Sequence, residues 1–522
     1  MIPTVDCLAR MDPASDRMAA RRDDDLVVRC ESPLPVELEA NSANAIFCAG
    51  SCFHRHAGIE RLWILTPGRR MRVRNHGLPR LGLYRDLQAP GSELDPEARS
   101  YRSGFNAVVP VGPLQPGDMP VEVVADLEDG RKVSAPFASI PVTAPSPAAA
   151  GPLERSPKIA VCMATYEPDL ELFEVQVQSI RDQAGDWICF ISDDYSPEED
   201  WRSIRRIVGD DPRFVVSRAE GRIGFFRNFE RVLSMVPEGV EYVALCDQDD
   251  PWYPDKLETL AAAMGDNQLV YSDQRLTLRD GSVIRDSLWV GRRRNDDSVY
   301  SMTIANTIVG ASTMMRRDLL TRILPFPRTP GWQFHDTWIS AVAIASGSIR
   351  FVDRPLYDYV QHERAIVSRV SVEGEEDLTE APGILWSLRH PRRVLERWKS
   401  IYYRSFIHTA LQAVVLVERC SDRMSRREIG ALGRLATADT TLRGTLELAV
   451  RPAREIWGRN ETLGTEWHLL AGILWLRFVK LRELGRRRSP SGARQDVAVP
   501  EFDIVSFAQW RMKRWIRRRS SA

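Results

Sequence analysis

The order of apolar and polar residues divides the chain into three segments with different periodicities. In the first, short runs of β-branched and aromatic residues are separated by proline and glycine, which is typical of strands and turns. Leu62–Leu65 and Val121–Val124 are two such runs, and Asp129–Gly130, a strong hairpin signal, follows the second. We therefore predict an all-β, sandwich-like domain over residues 1–155.

The middle segment alternates continuous apolar runs with amphipathic stretches. Ile159–Met163 is apolar at every position, and the residues after it place Phe173, Val177 and Ile180 on one helical face. Further apolar runs are Ile188–Ile191, Phe214–Val216 and Tyr242–Cys246. Strands that are apolar on both faces and alternate with helices indicate a doubly wound, mixed or parallel α/β sheet over residues 156–370. Ligands of such sheets bind beyond the carboxyl ends of the strands.

The third segment, residues 371–522, lacks strand alternation and is predicted to be helical. It contains 28 Lys and Arg residues against 18 Asp and Glu residues, although the whole chain carries 71 of each kind. Near its end, Trp510 and Trp515 interleave with cations, a pattern suited to an anionic membrane surface. We expect peripheral membrane contact through this basic tail and no nucleic-acid partner, although nucleic acid would also attract such a tail. A frayed basic terminus is the third reading.

The composition, with 43% hydrophobic and 27% charged residues, is typical of a soluble globular protein. The first thirty residues contain no apolar core of a signal peptide, and the apolar stretch Phe406–Val417 is shorter than the roughly 20 residues that span a bilayer. Cysteines inside predicted buried strands, such as Cys162, indicate a reducing compartment. We therefore expect a cytoplasmic protein, either free or bound peripherally to the inner face of the cell membrane.

Carboxylates are concentrated where the predicted strand Tyr242–Cys246 ends. Asp247, Asp249 and Asp250 lie within four residues, with Gln248 among them. Three carboxylates so close together repel one another, and a divalent cation such as Mg²⁺ or Mn²⁺ removes that conflict while it bridges phosphate oxygens. A solvated acidic turn is the alternative. The position directly after a buried strand favours a metal and diphosphate site.

Polar residues also follow the first two strands of the predicted sheet. Thr165 and Glu167 come after the first strand, and Asp193 and Asp194 come after the second. Each pair alone could be a helix N-cap, but together they place polar groups around one crevice. Arg227, farther along, has the charge to meet a phosphate, and an exposed helix start is the alternative for its segment.

This ordered set resembles glycosyltransferase family 2, with the GT-A fold, over roughly residues 156–370. The matching pieces are Ala164–Glu167, Asp193–Asp194, Gly224 with Asn228–Phe229, Asp247–Asp250 with Trp252 and Lys256, Tyr271–Asp273, Asn306–Met315, His335–Trp338 and Gln361–His362. The glutamine in the acidic motif and the His-Asp-x-Trp box are most similar to the bacterial rhamnosyltransferase branch. The chain departs from the family at Phe225–Phe226, where members often carry glycine or asparagine.

The resemblance implies roles for the matched residues. Asp336 would be the general base, while Asp249 and His362 would hold the divalent metal. The nucleotide-sugar donor would be bound by Thr165, Glu167, Asp193, Asp194, Arg227, Asp247 and Gln248. Trp252 and Trp338 are expected on the acceptor or sugar side, although large aromatic residues are more often simply buried.

The roles imply an inverting, metal-dependent transfer of a sugar, rhamnose in the most similar branch, from a nucleotide-diphosphate donor. The acceptor would be a hydroxyl of a glycan or lipid-linked molecule in cell-surface polysaccharide synthesis. Two other classes stay open. A metal-dependent nucleotidyl- or phosphotransferase should carry a phosphate-gripping loop, whereas Ala164–Asp169 has neither glycine nor lysine. A non-catalytic glycan-binding scaffold would need neither the acidic motif nor Asp336.

Overall fold

The computed structural model describes residues 20–87, 95, 97–145, 157–288, 294–328, 334–361, 389–457, 462 and 464–484. In these residues the chain forms a mixed α/β fold with three β-sheets and a helical C-terminal region. The fold class predicted from the sequence is thereby confirmed.

Two sheets that share one apolar core form the N-terminal part. Its strands are β1 (Arg21–Arg22), β2 (Leu26–Cys30), β3 (Leu38–Glu39), β4 (Asn44–His54), β5 (Ile59–Thr66), β6 (Arg69–Val73), β7 (Asn75–Leu78), β8 (Gly104–Val111), β9 (Gly117–Leu127) and β10 (Lys132–Thr143), with helix α1 (Leu81–Leu87) after β7. One sheet has the order β1-β10-β9-β5-β6 with β3 on β10, and the other is β2-β4-β8-β7. The predicted hairpin joins β9 to β10, and Gly130 takes a positive φ of 85° in its turn.

The α/β part is built on one sheet of eight strands. Its elements are β11 (Ile159–Thr165), α2 (Leu170–Arg181), β12 (Trp187–Asp193), α3 (Glu198–Val208), β13 (Phe214–Arg218), α4 (Phe225–Ser234), β14 (Tyr242–Cys246), α5 (Lys256–Ala263), β15 (Leu269–Leu278), β16 (Val283–Arg285), α6 (Val299–Ile304), β17 (Thr313–Arg316), α7 (Leu320–Ile323), α8 (His335–Ser346) and β18 (Ile349–Gln361). The sheet order is β13-β12-β11-β14-β17-β15-β16, and β18 also pairs with β15. The first four strands are parallel, and β17 runs antiparallel to both of its neighbours.

Local sequence explains these elements. Every residue of β14 is buried, as its uninterrupted apolar run requires in a sheet covered on both faces. In α2, Phe173, Val177 and Ile180 are all fully buried on one face, and the Asp169 side chain caps the first turn by accepting the Leu172 N–H.

The C-terminal region is helical in the residues that the structure describes. Its helices are α9 (Pro391–Ile401), α10 (Ile407–Cys420), α11 (Arg426–Ala436), α12 (Leu442–Val450) and α13 (Thr465–Leu484), with a π-helical turn at Tyr402–Phe406 and a 3₁₀ segment at Arg451–Trp457. Among the described residues, we find no helix with the length and apolarity needed to cross a bilayer.

Helix α10 lies at the centre of the molecule. It packs against β4 and β8 of the N-terminal sheets and against α6 and α8 of the α/β part. Ion pairs and hydrogen bonds reinforce this junction: Arg69 lies 2.6 Å from Glu418, and Asp439 accepts from Asn75 at 2.6 Å and from Tyr402 at 2.8 Å. The apolar stretch Phe406–Val417 is therefore core, and all three parts of the chain depend on it for packing.

We expect Leu411→Ala to reduce the free energy of unfolding by about 2–5 kcal/mol, because the fully buried Leu411 side chain would leave a cavity at this junction. Val36→Ala is the matched control, since Val36 is 90% exposed and its truncation should change stability by less than about 0.5 kcal/mol. Urea denaturation followed by tryptophan fluorescence measures both variants. Equal midpoints for Leu411→Ala and the wild type would contradict the central position of α10.

Candidate functional site

The parallel strands bring their carboxyl ends to one edge of the α/β sheet. β11 lies between β12 and β14, so that Thr165 is opposite Asp193 and Met163 is opposite Cys246. The acidic residues that follow β14 and the polar residues that follow β11 and β12 therefore lie along the same edge. This is the edge at which ligands of open α/β sheets bind.

Asp193 is fully buried beneath this edge. Its carboxylate accepts hydrogen bonds from the Ser196 backbone N–H at 2.9 Å and from the Ser196 hydroxyl at 2.5 Å. The Thr165 hydroxyl donates to the same carboxylate at 3.4 Å. Asp193 and Thr165 thus hold the turn after β12, and their contact with the nucleotide stays a prediction.

Asp194 holds the loop that leads into α4. Its two carboxylate oxygens accept from the backbone N–H groups of Ile223 at 2.6 Å and Gly224 at 2.9 Å. Burial raises the pKa of Asp194, while these bonds and the charge of Arg222 lower it. Arg222 also lies 4.1 Å above the ring of Tyr166. Sequence reasoning gave Arg222 no role, because an arginine in a polar loop carries no periodic signal.

Gln248 braces the acidic turn against the loop after β11. Its side-chain oxygen accepts the Tyr166 N–H at 2.9 Å, and its side-chain nitrogen donates to the Tyr166 carbonyl at 3.4 Å. Glu167 follows with a positive φ of 42° and donates its backbone N–H to Ser196 at 2.9 Å. Gln248 therefore fixes the loop that carries Glu167 and aligns it with the acidic turn.

Asn228 clamps two strand ends from below. Its amide donates to the carbonyls of Ser192 at 2.8 Å and Thr165 at 3.2 Å, and its oxygen accepts from the Ser192 hydroxyl at 2.6 Å. The side chain is buried on the same face of α4 as Phe229. In the sequence, Asn228 is a polar amide on an otherwise apolar helix face. It was among the residues that carry the family resemblance, but the resemblance implied no role for it.

Arg227 is held in an ion-pair cluster. It pairs with Glu230, which also lies 3.0 Å from Arg328 and accepts the Phe326 N–H at 2.6 Å. Burial raises the pKa of Glu230 to about 7 and lowers that of Arg227. In this structure, the guanidinium predicted for the diphosphate is directed to a carboxylate of its own helix.

The acidic turn carries more negative charge than its surroundings compensate. The pKa of Asp247 is raised to about 7, first by desolvation and then by the charges of Asp249 and Asp336. Asp250 is buried; one oxygen accepts the Val360 N–H at 2.9 Å, and the other has no hydrogen-bond partner among the described residues. Burial, followed by the charges of Asp249 and Asp247, raises the pKa of Asp250 well above its ordinary value.

Lys256, which follows the acidic turn in the sequence, lies in the core and contributes positive charge to Asp247 and Asp250. It is fully buried between the rings of Trp252 and Tyr357, at 4.0 Å and 4.3 Å, and it donates to the Ala311 carbonyl at 2.6 Å. Burial lowers its pKa to about 7. It offsets part of the charge of Asp250 from beneath the turn.

After desolvation and the charge of Asp249, the charge of Asp336 also raises the pKa of Asp247, so the predicted base lies within electrostatic range of the acidic turn. Asp336 lies in the first turn of α8. The Thr337 hydroxyl donates to it at 3.3 Å. The structure thus brings together Asp336 and the acidic motif, which are almost ninety residues apart in the sequence.

A divalent cation suits the chemistry of the carboxylates in and near the acidic turn. Their oxygens are hard donors. Desolvation and then the charges of Asp249 and Asp336 raise the pKa of Asp247, and a bound cation would relieve this conflict. Asp249, the first predicted ligand, lies in the acidic turn, where it would hold the ion. The second predicted ligand, His362, lies outside the described residues.

A different acidic cluster occurs in the N-terminal part. Among the described residues, only Asp23, Asp25 and His54 bring three potential ligand atoms within 4.8 Å of one another. Nδ1 of His54 accepts the N–H groups of His56 and Ala57, so its other nitrogen carries a proton towards Asp23. This cluster is accounted for by hydrogen bonding, and it lies in another part of the fold.

The two tryptophans predicted on the acceptor side, Trp252 and Trp338, are both buried in this structure. Trp252 is 4% exposed and covered by Lys256, while Trp338 is 2% exposed and donates its ring N–H to the Ile323 carbonyl at 2.9 Å. Neither ring is available to stack on a sugar in this structure. Large aromatic side chains are usually buried by apolar packing, and both indoles follow this rule.

His335 gives a pH-dependent test of this site's packing. It is buried and stacks on Phe229 at 3.5 Å, and burial lowers its pKa to about 3 from 6.5. The unfolded state therefore binds the extra proton, and stability falls as the pH is lowered from about 6.5 towards about 3, by up to about 1.4 kcal/mol per pH unit. His335→Leu should lose this part of the acid sensitivity in urea titrations at pH 7, 6 and 5. An unchanged dependence on pH would contradict a buried, neutral His335.

Comparison with known proteins finds a family that resembles part of the α/β sheet. Residues 160–324 match the family described as "Glycosyl transferase family 2". The matched segment includes the acidic turn and ends before Asp336. These residues of the α/β part are thus similar to glycosyltransferase family 2, in agreement with the resemblance found in the sequence; the rhamnosyltransferase branch stays a prediction.

Individual relatives are distant. The uncharacterized protein y4gI of Sinorhizobium fredii is 28% identical over 135 residues, which span 25% of this chain and 15% of that protein. Among solved structures, Staphylococcus aureus TarS 1–349 in complex with UDP-GlcNAc is 14% identical with a TM-score of 0.37, covering 63% of this chain and 93% of TarS. The mannosyltransferase PcManGT from Pyrobaculum calidifontis, in complex with GDP-Man and Mn²⁺, is 17% identical with a TM-score of 0.30, covering 65% and 91%.

Proposed function

We propose that the protein transfers a sugar from a nucleotide-diphosphate donor to a hydroxyl of a glycan or lipid-linked acceptor, with inversion at the anomeric carbon. The observation that carries this proposal is the approach of Asp336 to the acidic turn at the carboxyl edge of a sheet similar to family 2. The carboxylates of the acidic turn suit a metal ion that binds the diphosphate, and the carboxylate of Asp336 suits the attacking hydroxyl.

The residues would divide the work as follows. Asp336 accepts the proton of the acceptor hydroxyl while that oxygen attacks the anomeric carbon from the face opposite the diphosphate. The bond between the anomeric carbon and the diphosphate oxygen breaks, and the diphosphate leaves with the electron pair. Asp249 would hold Mg²⁺ or Mn²⁺, which when bound neutralises charge on the leaving diphosphate.

The donor pocket would lie over the loops that follow β11 and β12. The loops that Asp194 and Gln248 hold in place present Arg222, Tyr166 and Glu167 near the strand ends. A stacked arginine and an aromatic ring suit a nucleotide base and its phosphates. The branch resemblance favours a rhamnosyl donor and a role in cell-surface polysaccharide synthesis.

A panel of nucleotide sugars, incubated with the protein, Mn²⁺ and simple acceptors, tests this function. We expect release of nucleoside diphosphate from one donor and a matching glycosylated product. Release of nucleoside monophosphate or pyrophosphate would instead identify a nucleotidyl- or phosphotransferase. Binding of glycans without any release would identify a non-catalytic scaffold.

Membrane contact through the basic tail stays a prediction, because residues 505–522 lie outside the described residues. A lipid-linked acceptor would make such contact useful. The location of the protein in the cytoplasm and on the inner membrane face is part of the same proposal.

A further inference from the structure

A large set of apolar side chains is exposed on the last two helices and the segment between them. We call it the apolar face, and it consists of Leu442, Leu446, Val450, Ile456, Trp457, Trp467, Leu474, Phe478 and Leu481, which are between 41% and 79% exposed. On α12, three of these residues recur every four positions. On α13, four of them, Trp467, Leu474, Phe478 and Leu481, are separated by seven, four and three positions. Each spacing places them on one side of a helix. Because α12, the 3₁₀ segment and α13 contact one another, the sets belong to one region of the surface.

Helix α13 is apolar on both of its sides. Leu469, Ile473 and Leu476 are fully buried against the rest of the protein, while Trp467 and Phe478 are 55% and 43% exposed. A helix that is apolar all round is normally covered all round, so an occupant for the second side is required. Single exposed apolar residues are ordinary, but an extended exposed set marks an interaction site.

Charge and residue type indicate which occupant fits. Arg443 and Arg482 are exposed beside the apolar residues. On α12 and α13 the acidic side chains that the structure describes are withdrawn: Glu447 pairs with Arg434 at 2.6 Å, Glu466 is buried against Arg451, and Glu483 is buried. Tryptophan and phenylalanine among cations, without exposed acids on these helices, suit the headgroup layer of an anionic bilayer.

From these observations we propose that the apolar face lies on an anionic membrane surface. The face is independent of residues 505–522, the segment from which membrane contact was predicted. With no spanning helix among the described residues, contact is in the plane of the interface, with Trp457, Trp467 and Phe478 inserted between headgroups.

The apolar face is tied to the α/β domain. Arg451 donates to the Ser301 hydroxyl, lies 4.4 Å above the ring of Tyr300 and pairs with Glu466 at 3.1 Å. Ser301 and Tyr300 belong to α6, which packs on α8, the helix that carries Asp336. Attachment through the apolar face would therefore hold the candidate site in a defined orientation to the membrane, as a lipid-linked acceptor requires.

Co-sedimentation of the full chain with vesicles tests this proposal. The triple variant Trp457→Ser, Trp467→Ser, Phe478→Ser should bind vesicles of equal parts phosphatidylglycerol and phosphatidylcholine about tenfold more weakly or worse than the wild type. The matched control is Val283→Ser with Ile284→Ser, two apolar residues of β16 that are 47% and 46% exposed; its binding should be unchanged. Circular dichroism and an unchanged unfolding midpoint establish that the triple variant folds.

Two further arms separate the other occupants. Deletion of residues 505–522 should leave most of the vesicle binding, and loss of all binding by this deletion alone would overturn the proposal. Light scattering measures association between copies. If the triple variant changed a dimer to a monomer and still bound vesicles like the wild type, the apolar face would be a contact between copies and the proposal would be wrong.

Discussion

Asp249→Ala should lose metal-dependent sugar transfer almost completely while its fold stays intact. After desolvation, the charge of Asp249 is the next cause of the raised pKa of Asp247, so a cation held at Asp249 would also act on Asp247. Removing one carboxylate relieves repulsion in the protein but takes away a ligand of the ion that would stabilise the leaving diphosphate. We expect the rate to fall by about 10²–10³-fold or more, the scale for one lost electrostatic contact to a developing charge.

The measurement is nucleoside diphosphate release at increasing Mn²⁺ concentration, for the wild type, Asp249→Ala and the control Asp210→Ala. Asp210 is an exposed carboxylate in the turn after α3, so its removal should change neither the rate nor the metal response. The metal role of Asp249 would be wrong if its alanine variant, or the wild type in chelator-treated buffer, transferred sugar at the full rate.

Asp336→Asn should bind the donor almost normally and turn over far more slowly. An amide has nearly the shape of a carboxylate but cannot accept the proton of the acceptor hydroxyl. Loss of a general base lowers the rate by about 10²–10⁴-fold. The variant also removes one of the charges that raise the pKa of Asp247, so donor and metal should bind at least as well as in the wild type.

Donor affinity is measured by calorimetry with Mn²⁺ present, and turnover by product formation with donor and acceptor saturating. Asp318→Asn, an exposed carboxylate of the same domain, is the control and should match the wild type in both. If Asp336→Asn also matched the wild type in turnover, another residue would be the base.

Most of the sheet could be predicted because burial on both faces leaves an unmistakable pattern. The apolar run Tyr242–Cys246 coincides with β14 residue for residue, and the helix face containing Phe173 and Val177 is buried as predicted. The position of α10 could not be predicted in this way. Its pattern shows that Phe406–Val417 is buried, but not that strands from the first segment and helices from the second meet on it.

The candidate site was predictable in location and less so in detail. Strand ends determine where Asp194 and Asp249 lie, because parallel strands finish at one edge. Strand ends do not determine the direction in which a side chain points. Arg227 pairs with Glu230, and Trp252 packs on Lys256, although both were expected to face a ligand. Those choices follow from local partners and burial, which a single sequence does not reveal.

The anomeric configuration of the product tests the central claim most directly. The wild-type protein is incubated with Mn²⁺, an acceptor and the donor that it accepts, carrying ¹³C at the anomeric carbon, and the reaction is followed by NMR. We predict that the label moves to an oxygen of the acceptor with inverted configuration, in step with release of nucleoside diphosphate, and that Asp336→Asn does this far more slowly. Retained configuration, or a label that stays on the phosphate, would contradict a single-displacement sugar transfer with Asp336 as its base.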